Sequence, residues 1–241
     1  MSRTALPGIR RATVAVSLVG GITLGVVGLL LQPAFADDPS EYVRVLADSP
    51  TAGIALQLFA FSQVFWAIGL IGLAHAASHR ARVTSVIGAV LGGLGAFGHA
   101  VFAGASLVGL AMAEYAVAAG DPEAALAAAE ATQGGAFTPF LACGLLGTVL
   151  GVVFVAIATL RARTAPLWVP IAMFGWVAVE FVLSNFLSGE WMTYASGVLG
   201  VIAFGGAAVA IWRGGRGPWT TVREAELETA PDATPVQTAT A

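Results

Sequence analysis

Six apolar runs, each near the length that carries a helix across ~30 Å of hydrocarbon, are separated by short polar joints. They fall at residues 12–31, 51–77, 83–115, 137–160, 167–186 and 191–212. The pattern predicts an all-α fold, a polytopic membrane bundle of six transmembrane helices with two short extracytoplasmic helices in the loops. The first of those starts at Asp38-Pro39-Ser40-Glu41, with Asp at N-cap, Pro at N1 and Glu at N3. Tyr42, Val45 and Leu46 then share one face, as in a helix lying on a membrane surface. The second starts at Asp121-Pro122-Glu123 and stops at Gly134-Gly135. Three segments follow: a cytoplasmic N-terminus at 1–11, a transmembrane domain at 12–212, and a cytoplasmic tail at 213–241. Beyond Thr220 the tail is Glu, Ala, Thr and Pro without apolar period and reads as disordered.

The third run carries the packing signal. Gly88, Gly92, Ala96, Ala100 and Gly104 recur at i+4, a stripe of small side chains that lets membrane helices approach closely. This run is therefore expected to be the spine of the bundle.

Composition agrees with a membrane chain: 57% of the 241 residues are hydrophobic and 10% charged, outside the range of soluble domains. All eleven basic residues are Arg, which excludes retinal or pyridoxal Schiff bases and a P-loop lysine. The Arg-only, Ala- and Gly-rich usage points to a GC-rich bacterial genome. Cys143 is the single cysteine, so no intrachain disulfide or CxxC site exists, and it reads as a small core residue. A formal net charge of −3 argues for no nucleic-acid partner, and its placement matters more than its size. Arg residues flank the N-terminus, the joints at 80–82 and 161–163, and the tail, whereas the other joints hold mostly acids. Arg near span ends marks the cytoplasm, so both termini are expected inside a bacterial inner membrane. The Ala34-Phe35-Ala36 site could end a cleaved signal, but the first run exceeds a usual h-region, which favours a retained helix.

Counting inward from the cytoplasmic ends at ~1.5 Å per residue places Gln63, His99, Thr148, Glu180 and Ser196 at one depth of ~20–25 Å. Glu180 is the sharpest of these, because an ionised carboxylate facing lipid costs several kcal/mol and must be protonated or paired inside the bundle. A Glu180–His99 pair that binds a cation or relays a proton is one reading, and a structural hydrogen bond orienting two helices is the other. Trp66, Trp168, Trp191 and Trp212 are expected as interface anchors. No haem pair arises, since His75 and His99 differ by ~18 Å in depth. His75 and His79 share a helix face without an acidic third ligand, so no metal site and no cofactor is expected. G-x-S-x-G, H-E-x-x-H and a nucleotide-binding G-x-G-x-x-G are missing, and no catalytic residue is assigned.

The joint Arg161-Ala-Arg163-Thr-Ala-Pro166-Leu-Trp168, with acidic loops after the first and third runs, resembles small six-helix bacterial membrane proteins of unknown function. The resemblance covers roughly residues 12–212 and implies the layout alone. The function expected is a non-enzymatic membrane module that packs with a partner or passes a small solute. The alternative is a proton-coupled carrier or intramembrane enzyme using Glu180 and His99. The partners implied are the bilayer and another membrane protein or a second copy. Unwound helix at mid-depth would favour transport.

Overall fold

The structure, a computed structural model, describes residues 5–33, 38–133, 135–186 and 190–214. Outside these lie most of the expected tail, the Ala34-Phe35-Ala36 site, Gly134 of the expected helix stop, and residues 187–189 of the last joint. Every element among the described residues is helical: α1 (Ala5–Leu31), α2 (Pro39–Asp48), α3 (Ala52–Ala77), α4 (Arg82–Ala118), α5 (Pro122–Gln133), α6 (Thr138–Ala162), α7 (Trp168–Val177) and α8 (Glu190–Trp212). A short 3₁₀ turn, Gly135–Phe137, leads into α6.

Five helices are long and apolar enough to cross a membrane: Gly8–Leu31, Ala52–Ala77, Arg82–Ala118, Glu123–Ala162 (α5 and α6 together) and Trp191–Trp212. The run expected as the fifth span differs. Its α-helix stops after ten residues and continues as a π turn, Ala178–Val182, and a 3₁₀ turn, Leu183–Asn185. The sequence explains the change locally. Val179 and Val182 are β-branched and weak helix formers, and the Ser184 Oγ donates to the Glu180 carbonyl, competing with the regular ladder.

The helices close into a ring in which α1 packs on α3, α3 on α4, α4 on α6, α6 on α7, α7 on α8, and α8 back on α1. Its apolar centre is Leu18 of α1, Leu70 and Leu73 of α3, Val152 and Val155 of α6, Val169 and Met173 of α7, and Phe204 of α8. The expected spine, α4, contributes only the edge residue Ala89 to that centre. It joins the ring through a glycine seam with α6 instead. Gly151 faces the Gly92 backbone, Gly95 faces Gly147 and Thr148, and Gly98 faces Gly144. A Cβ on Gly151 would stand 2.5 Å from the backbone N of Gly92, and one on Gly147 would stand 2.6 Å from that of Gly95.

The expected stripe follows this seam only in part. Gly88, Gly92 and Ala96 are buried, Ala100 is half-buried, and Gly104 is exposed with nothing within 4 Å of an added Cβ. The cause is helical geometry: an i+4 step overshoots one turn by about 40°, so four steps carry the row about 160° around the helix. Mixed spacings of three and four keep Gly88, Gly92, Gly95 and Gly98 on one face.

At 37 residues α4 is longer than the other helices, and its C-terminal end meets both short helices. Val43 of α2, Ala113 and Ala116 of α4, and Ala125 of α5 form a small apolar cluster there. The two expected helix starts are capped by their aspartates. Asp38 accepts the Glu41 N–H at 3.3 Å and Asp121 that of Ala124 at 3.0 Å. Gly120, at φ +76°, takes the left-handed position that ends α4.

Candidate functional site

Glu180 sits in the middle of the π turn, partly buried, with its carboxylate aimed across to α8. The Ser196 Oγ donates to its Oε2, and among the described residues this is the carboxylate's one protein hydrogen bond. Ser196 itself is buried at 3% exposure, so the donor is held in place by packing. A π turn widens the helix by one residue and recurs at functional positions. Here it lifts Glu180 out of the α7 register and turns it towards a cavity.

That cavity has a volume of about 290 Å³ and lies between α1, α3, α7 and α8, with Phe102 of α4 at one side. Its polar lining is Glu180, Ser196, Ser62 and Gln32. It runs from Gln32 and Leu56, near facing ends of α1 and α3, to Ile22 and Trp66, about ten residues or ~15 Å along each helix. Its deep end is closed by aromatic rings. Trp66 stacks on Trp176 with centroids 5.5 Å apart, and Phe204 meets both edge-on at 4.3 and 5.4 Å. Gly200 makes room for this closure, because a Cβ there would be 3.2 Å from Trp176 Nε1 and 3.3 Å from Ile22 Cγ1. Gly25 and Gly197 leave the wall open, with nothing closer than 3.8 and 3.5 Å to an added Cβ.

The five polar residues expected at one depth are distributed over three separate sets. Glu180 pairs with Ser196 across α7 and α8. His99 Nδ1 lies 3.3 Å from Thr148 Oγ1 across α4 and α6. Gln63 Nε2 donates to Ser62 Oγ at 3.0 Å and to the Phe59 carbonyl at 3.3 Å, both within α3. Glu180 and His99 therefore form no hydrogen bond with each other. The ring order explains it, since α6 stands between α4 and α7 and the glycine seam commits His99 to α6. A Cβ on Gly144 would be 2.8 Å from His99 Cδ2, so the imidazole fills the space that this glycine leaves. Phe59 touches both regions: it lines the cavity, and its ring meets His99 edge-on at 5.8 Å.

Comparison with protein-family models, curated proteins and solved structures returns no match. The chemistry of the site is therefore argued from its geometry.

Trp66, Trp176, Phe59 and Ser62 were not singled out as site residues by the sequence reading. Trp66 in particular, expected at an interface, stands in the core against Trp176 and Phe204. A signal was available, since Trp66 follows Gln63 by three residues and so shares its depth and face. Outside this region, the Ser85, Thr159 and Thr164 hydroxyls are buried without a partner among the described residues. Among the described residues no group of three His, Cys, Asp or Glu side chains converges as metal ligands would.

Proposed function

We propose that this chain is a non-enzymatic integral membrane protein that admits a small solute into the Glu180 cavity, as a binding or permeation module. The observation that carries the proposal is a carboxylate displayed by a π turn at the wall of a ~290 Å³ cavity between membrane-length helices. Small-molecule sites have this make-up: mostly apolar walls with a few placed polar groups. Interrupted helix at such a site is how transporters expose polar atoms at depth, which favours passage over mere packing. The five long apolar helices support residence in a membrane. The Arg-only, Ala- and Gly-rich composition supports a bacterial one.

In this reading α7 and its two turns make the sixth crossing. Residues 168–185 span about 27 Å at ~1.5 Å per residue, just under the ~30 Å hydrocarbon layer. Charge supports the even number. Arg161 in the last turn of α6, Arg163 just after it and Arg213 just after α8 all reach the cytoplasmic side only if α7 crosses. Both termini are then cytoplasmic, α2 and α5 lie outside, and the Gln32 end of the cavity faces outward.

Access to the cavity is the test. In a Cys143→Ala background, Gly25→Cys places a thiol on the cavity wall, where the backbone has room for it. Neutral methyl methanethiosulfonate should modify it in native membranes, while Val155→Cys in the core stays unreactive. A Gly25→Cys thiol as inert as the core control would overturn the proposal.

A further inference from the structure

We infer that the occupant of the Glu180 cavity is a small organic monocation, an amine or quaternary ammonium with an apolar body. The inference rests on reading the cavity as a solute site, and it comes from which hydrogen-bonding roles the walls have left unfilled.

Both cavity hydroxyls have spent their protons on the protein. Ser196 donates to Glu180, and Ser62 donates to the Phe59 carbonyl at 2.6 Å while accepting from Gln63. A hydroxyl has one proton to give, so each now presents only lone pairs. The second carboxylate oxygen of Glu180 is likewise an acceptor without a protein donor among the described residues. The donors among the lining side chains are the Gln32 amide and the indole N–H groups of Trp66 and Trp176. Apart from these three donors the polar surface is one of acceptors with the Glu180 carboxylate among them, and such a surface favours a cation that can donate.

Charge points the same way. The described arginines stand near helix ends or on α2, and His99 is engaged with Thr148, so no countercharge stands beside Glu180 among the described residues. An anion would meet the carboxylate unshielded in a medium of low dielectric, where the repulsion is strong. A divalent metal needs about six oxygen ligands, and one carboxylate with two hydroxyls falls short of that. Aromatic side chains form much of the remaining wall: Phe59, Trp66, Phe102 and Trp176. Their rings carry negative π faces that attract ammonium groups, and their bulk excludes the hydration shell a metal ion would keep. A volume of about 290 Å³ suits a trimethylammonium or arylalkylamine group.

The experiment reads charge selection directly. The Gly25→Cys, Cys143→Ala protein is reacted in membranes with three methanethiosulfonates: neutral methyl, cationic trimethylammonium-ethyl and anionic sulfonato-ethyl. Each rate is normalised to that reagent's rate with a small thiol in solution. The cationic reagent should react at least about tenfold faster than the anionic one, the size expected of one uncompensated charge nearby. Adding Glu180→Gln should bring the ratio close to one, and Glu180→Asp, which keeps the charge, should preserve it. The Asp arm also shows whether a change at this position has merely unfolded the site. Equal normalised rates, or a ratio unmoved by Glu180→Gln, would overturn the cation assignment while leaving a solute cavity in place. Failure of all three reagents to react would overturn the solute reading beneath it.

Discussion

At the scale of single residues, Glu180 shows how one hydrogen bond settles a costly group. A carboxylate among membrane helices is tolerable when a fixed donor meets it, and Ser196 is that donor, itself held at 3% exposure. Ser196→Ala removes the donor and leaves the acid facing an apolar slot. The expected loss is about 1.5–3 kcal/mol, the range for hydrogen bonds to charged groups, measured by denaturation in mixed micelles. Glu180→Gln in the parent chain should cost less, because the amide still accepts from Ser196. A neutral Ser196→Ala would mean that solvent in the cavity already satisfies the carboxylate. Depth counting placed Glu180 and Ser196 at one level with Gln63, His99 and Thr148, and charge singled out Glu180, but neither named Ser196 as its donor. The separation of His99 from Glu180 was not legible, because it depends on ring order, and ring order is set by which glycines face which helix.

At the scale of elements, the α4–α6 seam is a case where spacing misleads unless turned into angle. Five small residues at i+4 look like one stripe in the sequence, yet the row winds away and delivers Gly104 to the surface. The glycines that matter are spaced four, three and three on α4, and their partners on α6 three and four. Gly147→Ala should therefore destabilise the protein by about 1–3 kcal/mol, because the new methyl meets the Gly95 backbone, which has no rotamer to yield. Gly104→Ala should be neutral or slightly stabilising, as expected for an open helical site. Thermal melting of the two variants side by side checks this, and equal losses would show that the seam tolerates expansion. The caps of α2 and α5 were readable from Asp-Pro pairs, whose chemistry is local. The π turn was not, since it requires Val179, Val182 and Ser184 to act together against an otherwise good apolar helix.

At the scale of the molecule, the number of crossings turns on α7. Length and apolar composition mark five helices without help, and the sixth depends on whether 168–185 reaches through. Reporter fusions after residues 80 and 161 should read cytoplasmic, and those at 38, 121 and 190 should read external. A cytoplasmic signal at 190 would make α7 a re-entrant segment and place Arg213 outside, against the charge rule. Hydropathy recorded five of the six apolar runs as helices long enough to cross a membrane, and it missed that the fifth run breaks into a π turn and a 3₁₀ turn. It could not record that α4 stays at the edge of the apolar centre, because an edge helix and a central one need the same number of apolar residues.

The glycine seam also raises a matter of alignment. Two helices that meet through bare backbone slide easily, since glycines at spacings of three and four recreate nearly the same surface one turn away. Side-chain bulk does little to choose among such positions. The His99–Thr148 contact does choose, because one step of sliding, about 5.4 Å, would strand both polar groups. His99 then works as a detent, a notch that makes one of several near-equal alignments lowest, as a lone polar residue does in a coiled coil. Cross-linking between cysteines placed at Phe97 and Phe140, whose rings meet 6.2 Å apart between α4 and α6, should give one dominant product in the parent, where His99 is intact. With His99→Leu added, pairs offset by one turn should begin to cross-link as well. A single unchanged product would show that the seam keeps its alignment without the imidazole.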